Sequence, residues 1–231
     1  MTAFQIKIIA VMTMVIDHVG LFFFPQYFFL RIIGRLAFPL FAWLIANGAY
    51  HTRDLPLYGM RLFALAVVSQ VPFTLANVHI GEPLLYLNVV FTLCCGLLAI
   101  AVIQAKRGLV VASLATLACA ALADFIHSDY GAAGVLAIVA FYVFFENVWL
   151  MTIAETTILG LIPIGVHALE GLYQQDLHVF YIDSTIEIIG ILSLICVALY
   201  NGKKGPSDRY AFYYFYPLQY VAICIGQLIW G

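Results

Sequence analysis

Charge is scarce in this chain. Only 10% of its 231 residues are Asp, Glu, Lys or Arg, against roughly a quarter in soluble domains. Ten basic and twelve acidic side chains leave a net charge of −2 with no basic run, which excludes the electrostatic footprint of a nucleic-acid binder. Cysteine is also sparse. The five (Cys94, Cys95, Cys119, Cys196 and Cys224) form no CxxC pair and have no His at ligand spacing. A structural disulfide or metal site is therefore not expected, and they read as small apolar fillers. Linkers, low-complexity tracts and internal repeats are missing too. The first apolar stretch is long, polar in places and not followed by a small-residue cleavage site, so it is expected to remain as a span.

What the chain has in abundance is apolar surface. Its apolar fraction is 65% and its mean hydropathy +1.03. A soluble domain of this size has no way to hide so much, whereas a bilayer solvates it. The expectation is an all-α integral membrane protein, one polytopic domain over 1–231. Spans need about 20 apolar residues, which gives nine: 4–24, 27–48, 57–78, 84–105, 108–126, 130–145, 148–168, 185–200 and 212–230. The pair Glu146-Asn147 breaks the stretch 131–167, which at 1.5 Å per residue is about 55 Å and too long for one crossing. Lys and Arg set the orientation. Eight of the ten (Lys7, Arg53, Arg61, Lys106, Arg107, Lys203, Lys204 and Arg209) fall at one set of ends. The alternate loops carry Glu82, Asp129, Glu170, Asp176 and Asp183 instead. Nine helices with a cytoplasmic N-terminus and an outside C-terminus put every basic loop inside. The longest loop, 169–184, holds Tyr173, Phe180 and Tyr181 and reads as a connector, an interfacial segment or a lid.

Against this background a few ionisable residues stand out. Asp17 and His18 lie in the middle of the first apolar segment, where such groups are costly and usually functional. Lys7 and His18 are eleven residues apart, so they share a helix face about 16 Å apart along the axis. In the second span Arg31 and Arg35 share a face. The short hairpin makes an Asp17–Arg35 ion pair geometrically reasonable, with a purely architectural pair as the competing reading. Pro39 is expected to kink that helix and free a carbonyl. Arg31 and Lys7 have snorkelling as their plain explanation. A buried neutral His18 is available for proton transfer. At outer depths lie Gln70, Asn88, Thr92, Asp124, Asp129, His167 and Glu187. Each alone is more often an interhelical hydrogen bond, but together they suggest a polar cavity open to the outside. On the cytoplasmic side His51, Thr52, Arg53 and Arg61 form a basic and hydroxyl cluster of the kind that receives phosphate, though a positive-inside loop looks similar.

These residues fall in a pattern. The chain resembles the TraX family, named for a conjugative-plasmid membrane protein that acetylates the N-terminus of F-type pilin. The resemblance rests on Ile6-Lys7-Ile8-Ile9-Ala10 through Ile16-Asp17-His18, on Arg31-Ile32-Ile33-Gly34-Arg35-Leu36-Ala37-Phe38-Pro39, and on His51-Thr52-Arg53. It continues in Ser69-Gln70-Val71-Pro72-Phe73, Leu87-Asn88-Val89-Val90-Phe91-Thr92, Asp129-Tyr130-Gly131 and Phe212-Tyr213-Tyr214-Phe215-Tyr216-Pro217-Leu218. Where the family often carries a His after the last Tyr-Pro-Leu, this chain has Gln219. More loosely, the Lys7-to-His18 spacing is similar to the first-helix motif of multi-pass membrane acyltransferases.

The resemblance implies an enzyme of the bacterial inner membrane that moves an acetyl group from cytoplasmic acetyl-CoA to an amine or hydroxyl acceptor. The acceptor would be a small membrane protein such as a pilin, or a membrane-associated small molecule or glycan, with no metal needed. Under that reading His18 is the general base, Asp17 orients it or pairs with Arg35, and Arg35 or Asn88 with Thr92 stabilises the oxyanion. Lys7, His51, Arg53 and Arg61 would hold CoA, with Lys106 and Arg107 as further candidates. Asn88, Thr92, Asp129, Gln70 and Tyr216 would face the acceptor. Two rivals stay open. One is a proton-coupled transporter using Asp17, His18 and Arg35 as a relay, against which no inverted repeat is visible. The other is a non-catalytic scaffold for a small membrane protein.

Overall fold

Helices begin in this chain where the sequence supplies caps. In the computed structural model, which describes residues 1–166, 189–206 and 211–230, Thr2 opens α1 (Ala3–Phe22) with a reciprocal capping box to Gln5. Such a box satisfies two of the orphan donors of a helix start. The carbonyls of Lys203 and Lys204 accept from Ala3 N at 2.9 Å and Phe4 N at 3.0 Å, so the loop 201–206 completes the cap. After a short turn the chain returns as α2 (Phe28–Gly34) and α3 (Ala37–His51). The break falls at Arg35-Leu36, one turn before Pro39. Proline has no N–H for the carbonyl four residues back and its ring crowds that carbonyl, which places the expected kink at Arg35.

Asp54 caps α4 (Leu55–Val78), its carboxylate accepting from Leu57 N at 2.9 Å. Asn88 does the same for α5 (Val89–Gln104), accepting from Val90 N at 3.0 Å. Next come α6 (Leu109–Phe125) and α7 (Gly131–Val143). Asn147 then caps α8 (Val148–Thr156), which widens into a π turn over Thr157–Leu161 and continues helical over 162–166. The described chain closes with α9 (Ser193–Ala198) and α10 (Ala211–Trp230). No strand occurs among the described residues, only an isolated bridge between Leu87 and Ser128.

The helical class is as the sequence implied. Four stretches are long and apolar enough to cross a membrane: Ala3–Phe22, Phe28–His51, Leu55–Val78 and Val148–Val166. Helices α5, α6 and α7 are apolar but shorter. The span expected at 84–105 starts later, at Val89, because Asn88 fixes the helix start through its side chain and residues 79–88 form turns around Pro83. The expected loop 169–184, His167, Glu187 and Arg209 lie outside the described residues, as do the outer parts of the expected spans 148–168 and 185–200. Large apolar side chains face outward along α4 (Val67, Val68, Val71, Leu75) and α6 (Leu109, Val110, Leu114, Leu117). Exposure on that scale is a liability in water and ordinary against lipid.

The chain divides into two compact units. Unit 1 comprises Met1–Leu44 and Val143–Pro206. Its core holds Ile6, Ala10, Met14, Phe38, Leu40, Trp43, Met151, Leu194 and Val197, with Trp43 set edge-on to Tyr200 at a centroid distance of 4.8 Å. Unit 2 comprises Ile45–Tyr142 and Ser207–Gly231. Its core runs through Ala66, Phe73, Leu93, Leu97, Ala99, Val135, Ile138 and Phe141. Cys95 and Cys119 pack there among Ala99, Ala120, Ala123 and Val135, as expected of apolar fillers.

Candidate functional site

In unit 1 the α1–α2 hairpin is drawn together at two glycines. A Cβ on Gly20 would stand 2.6 Å from Leu30 Cβ, and one on Gly34 would stand 2.0 Å from Asp17 Oδ1 and 2.2 Å from Asp17 Cβ. The Asp17 side chain therefore lies directly over bare backbone. That seat decides its partner. Arg31 is one turn before Gly34 and close to its face, whereas Arg35 is the next residue and sits about 100° round the helix. The ion pair expected with Arg35 is accordingly made by Arg31. Its Nη1 donates to Asp17 Oδ2 at 2.5 Å and reaches the Asp17 carbonyl at 3.5 Å. The two side chains are only 20% and 15% exposed, so the pair is more than a surface contact. Arg35 is close enough to add its charge to the field at Asp17.

His18, the next residue on α1, is half-buried and meets Phe22 edge-on at 6.1 Å. Lys7 lies nearer the start of the same helix, half-buried, with the Lys204 charge close by. The carbonyl released by Pro39 is used for packing. A Cβ on Gly190 would stand 3.2 Å from Arg35 O and 3.9 Å from Pro39 Cγ, so a glycine lets the backbone at 190 approach the break.

In unit 2 the predicted acceptor residues come together, but their polar groups are largely committed to one another. Gln70 Nε2 donates to the Tyr86 carbonyl at 2.9 Å and to Thr74 Oγ1 at 2.9 Å. Asn88 Nδ2 donates to Ala66 O at 2.9 Å and to Gln70 Oε1 at 2.8 Å. Thr92 Oγ1 lies 2.9 Å from Ser128 Oγ and also bonds the Asp129 carbonyl. Tyr86 donates its hydroxyl to Asp129 Oδ1 at 3.0 Å. Phe73 lies between Tyr86 and Tyr220, and Tyr220 stands edge-on to Tyr216, with centroids 5.2–6.0 Å apart along this row. Asn88 and Thr92 are fully buried. The network pins the loop 79–88 to the turn 127–130. There Tyr130 and Gly131 take left-handed backbone at φ 66° and 41°, and Asp124 Oδ1 caps α7 through Ala132 N at 2.6 Å.

The predicted cofactor residues of unit 2 sit at its other end. His51 and Arg53 are exposed at the α3–α4 turn, Arg61 is exposed on α4, and Lys106 and Arg107 are exposed between α5 and α6. Gln104 Nε2 donates to Ala49 O at 2.9 Å, which ties the end of α5 to the end of α3 and so gathers these cations at one end. Lys7 is the one predicted cofactor residue in unit 1.

One residue was missed in the sequence. Glu155 in α8 is 1% exposed and neither carboxylate oxygen has a hydrogen-bond partner among the described residues. Its signal in the sequence is a single acid near the centre of an apolar span.

Comparisons with known proteins agree with the pattern of motifs. The sequence profile described as "TraX protein" matches residues 3–226. A probable fimbrial assembly protein FimC, serogroup H1, of Dichelobacter nodosus is 30% identical over 98% of this chain and 96% of its own. An uncharacterized protein of Rickettsia prowazekii (strain Madrid E) is 32% identical over 35% of each chain. No solved structure matches. Since the profile spans the Asp17–Arg31 hairpin, the Gln70–Asn88–Asp129 network and the last helix alike, the chain belongs to the TraX family.

Proposed function

We propose that this protein is a multi-pass acetyltransferase of the bacterial inner membrane. It would carry an acetyl group from cytoplasmic acetyl-CoA to an amine at the membrane, the N-terminus of a pilin-like small protein being the favoured acceptor. The chain crosses nine times under this reading, with its N-terminus inside. The observation that carries the proposal is the Asp17–Arg31 ion pair beside His18, an acid–base group set inside a candidate span of a TraX-family chain. Similarity to a probable fimbrial assembly protein supports an acceptor of the pilus class.

In the reaction the amine nitrogen attacks the thioester carbonyl, the C–N bond forms, the C–S bond breaks and CoA leaves as the thiolate. The attacking nitrogen must shed a proton, since an α-amino group is mostly protonated at neutral pH. His18 takes that proton as general base. Asp17, fixed by Arg31, keeps the local field constant, and Arg35 stabilises the negative charge that develops on the carbonyl oxygen. Asn88 and Thr92 are poorer candidates for that task because their donors already serve Ala66, Gln70, Ser128 and Asp129. Lys7, His51, Arg53 and Arg61 bind CoA phosphates, and Gln70, Asp129 and Tyr216 shape the acceptor side.

The test needs no knowledge of the acceptor. Thermal unfolding of the detergent-purified protein is followed with and without acetyl-CoA, for wild type and Arg53→Ala. A ligand at 100 times its dissociation constant stabilises by about 2.7 kcal/mol, so a clear upward shift in wild type, reduced in Arg53→Ala, is expected. No shift at millimolar acetyl-CoA overturns the donor assignment.

A further inference from the structure

Glu155 is the buried ionisable group that this mechanism leaves without a task. Its helix packs through a stripe of Met151, Glu155 and Gly160, all buried. The step from 155 to 160 is five residues, which on an α-helix would turn the last of them about 140° away. The π turn at Thr157–Leu161 takes up the extra residue and keeps Gly160 near the packed face. A Cβ on Gly160 would stand 2.7 Å from Ile191 Cδ1. The segment 189–193 therefore touches the π turn through Ile191 and the α2–α3 break through Gly190. It also carries Ser193, 1% exposed, whose hydroxyl likewise has no hydrogen-bond partner among the described residues.

Most buried polar atoms in a fold are satisfied, and an ionised carboxylate without a partner in an apolar interior is among the costliest of groups. Here the sequence keeps a carboxyl that has no partner among the described residues, next to a π turn of the kind that often marks a functional site. Packing alone explains the π turn but gives no reason for the carboxyl, since Gln, Leu or Met would fill the same volume at lower cost. A primary ammonium ion supplies what the carboxyl lacks, a positive charge and N–H donors for its two oxygens.

We propose that Glu155 is the binding site for the ammonium group of the acceptor, held by charge-assisted hydrogen bonds within unit 1. The inference rests on the reading that the acceptor is an amine and names the residue that selects it. It also supplies specificity, because the acetylated product has lost its positive charge and keeps a single N–H donor.

The experiment uses full-length protein in lipid nanodiscs and 2-phenylethylamine as the probe, with N-acetyl-2-phenylethylamine as its uncharged counterpart. Apparent affinities are read from the rise of the unfolding midpoint with ligand concentration. Wild type should bind the free amine at least tenfold more tightly than the acetylated form. Glu155→Gln, which keeps shape and removes charge, should fold at least as stably and lose that preference. If Glu155→Gln does not fold, Glu155→Asp is read instead, and withdrawing the carboxyl by one methylene should weaken amine binding at least threefold. An unchanged preference in the variant that folds overturns the proposal. Acetyl-CoA-dependent acetylation of the same amine, followed by mass spectrometry, separates the two claims. Glu155-dependent binding without transfer sinks the acetyltransferase reading and leaves the ammonium site standing. Transfer with an unchanged KM for the amine in Glu155→Gln does the reverse.

Discussion

At the scale of single residues, Gly34 and Arg31 matter together because each makes the other's position useful. Gly34 clears the space that Asp17 fills, and Arg31 then neutralises what has been put there. Gly34→Ala would place a methyl about 2 Å from the carboxylate, and backbone lies on one side of that contact, so the hairpin must open. Overpacking usually costs about 1–3 kcal/mol, and the expected result is a loss in that range or above it. Gly165→Ala, where a Cβ meets nothing within 4 Å among the described residues, should be neutral or slightly stabilising, since Ala is the better helix former. Removing one partner of a buried pair costs about 3–5 kcal/mol, and the residual exposure of Asp17 and Arg31 brings the figure nearer to 2. Arg31→Ala should therefore lose about 2 kcal/mol, with Asp17→Asn in the same chain recovering part of it. A double-mutant cycle on thermal unfolding checks this, and strictly additive losses would show that the pair is not coupled. The effect on transfer is a separate matter. His18→Ala should abolish acetylation with expression and stability intact, and full activity in that variant would remove His18 from the mechanism.

At the scale of elements, the break expected at Pro39 is present, and most apolar stretches recur as helices with ends within a few residues. The caps Thr2, Asp54, Asn88 and Asn147 are the local signal that the apolar pattern passes over, and Asn88 moves the start of the span expected at 84 to Val89. What stayed hidden depends on which side chain faces which. Counting residues along the hairpin puts Arg35 at the depth of Asp17 and Arg31 about 6 Å nearer the surface, so depth alone points to the wrong partner, and the choice of Arg31 is made by Gly34 and by rotation round the helix. The outer polar residues were legible as a group, but not as a network that satisfies itself. Asn88 shows the difference: it caps α5 at Val90, holds the Ala66 carbonyl and anchors Gln70. Asn88→Ala removes a cap worth about 1 kcal/mol and takes the side-chain donor from the buried Ala66 carbonyl at about 1–3 kcal/mol, while Gln70 Oε1 keeps the backbone N–H of residue 88. A loss of about 3 kcal/mol is expected, measured by denaturation in mild detergent. A loss below about 1 kcal/mol would mean that the network holds nothing in place.

For the whole molecule the argument turns on charge at the ends of each unit. In unit 1 the start of α1 is bonded to the loop carrying Lys203 and Lys204. In unit 2 the Gln104–Ala49 bond gathers His51, Arg53, Arg61, Lys106 and Arg107 at one end. The opposite end of unit 2 carries Glu82, Asp124 and Asp129, without a Lys or Arg among residues 79–88 and 124–131. Such separation within a unit is what the positive-inside rule produces, because Lys and Arg near a span resist translocation while Asp and Glu contribute little. The rule predicts that residues 52–54, 106–108 and 201–206 face the cytoplasm and that 79–85 face outside. A set of single cysteines at Arg53, Glu82, Lys106 and Lys203, each in a chain with its own five cysteines replaced by Ala, tests this directly. In intact cells a membrane-impermeant maleimide should label the cysteine at 82 alone, and permeabilised cells should add the other three. Labelling of position 106 but not 82 in intact cells would invert unit 2 in the membrane. It would also place His51, Arg53 and Arg61 on the wrong side for a cytoplasmic CoA, so the same result that corrects the topology would refute their role in donor binding.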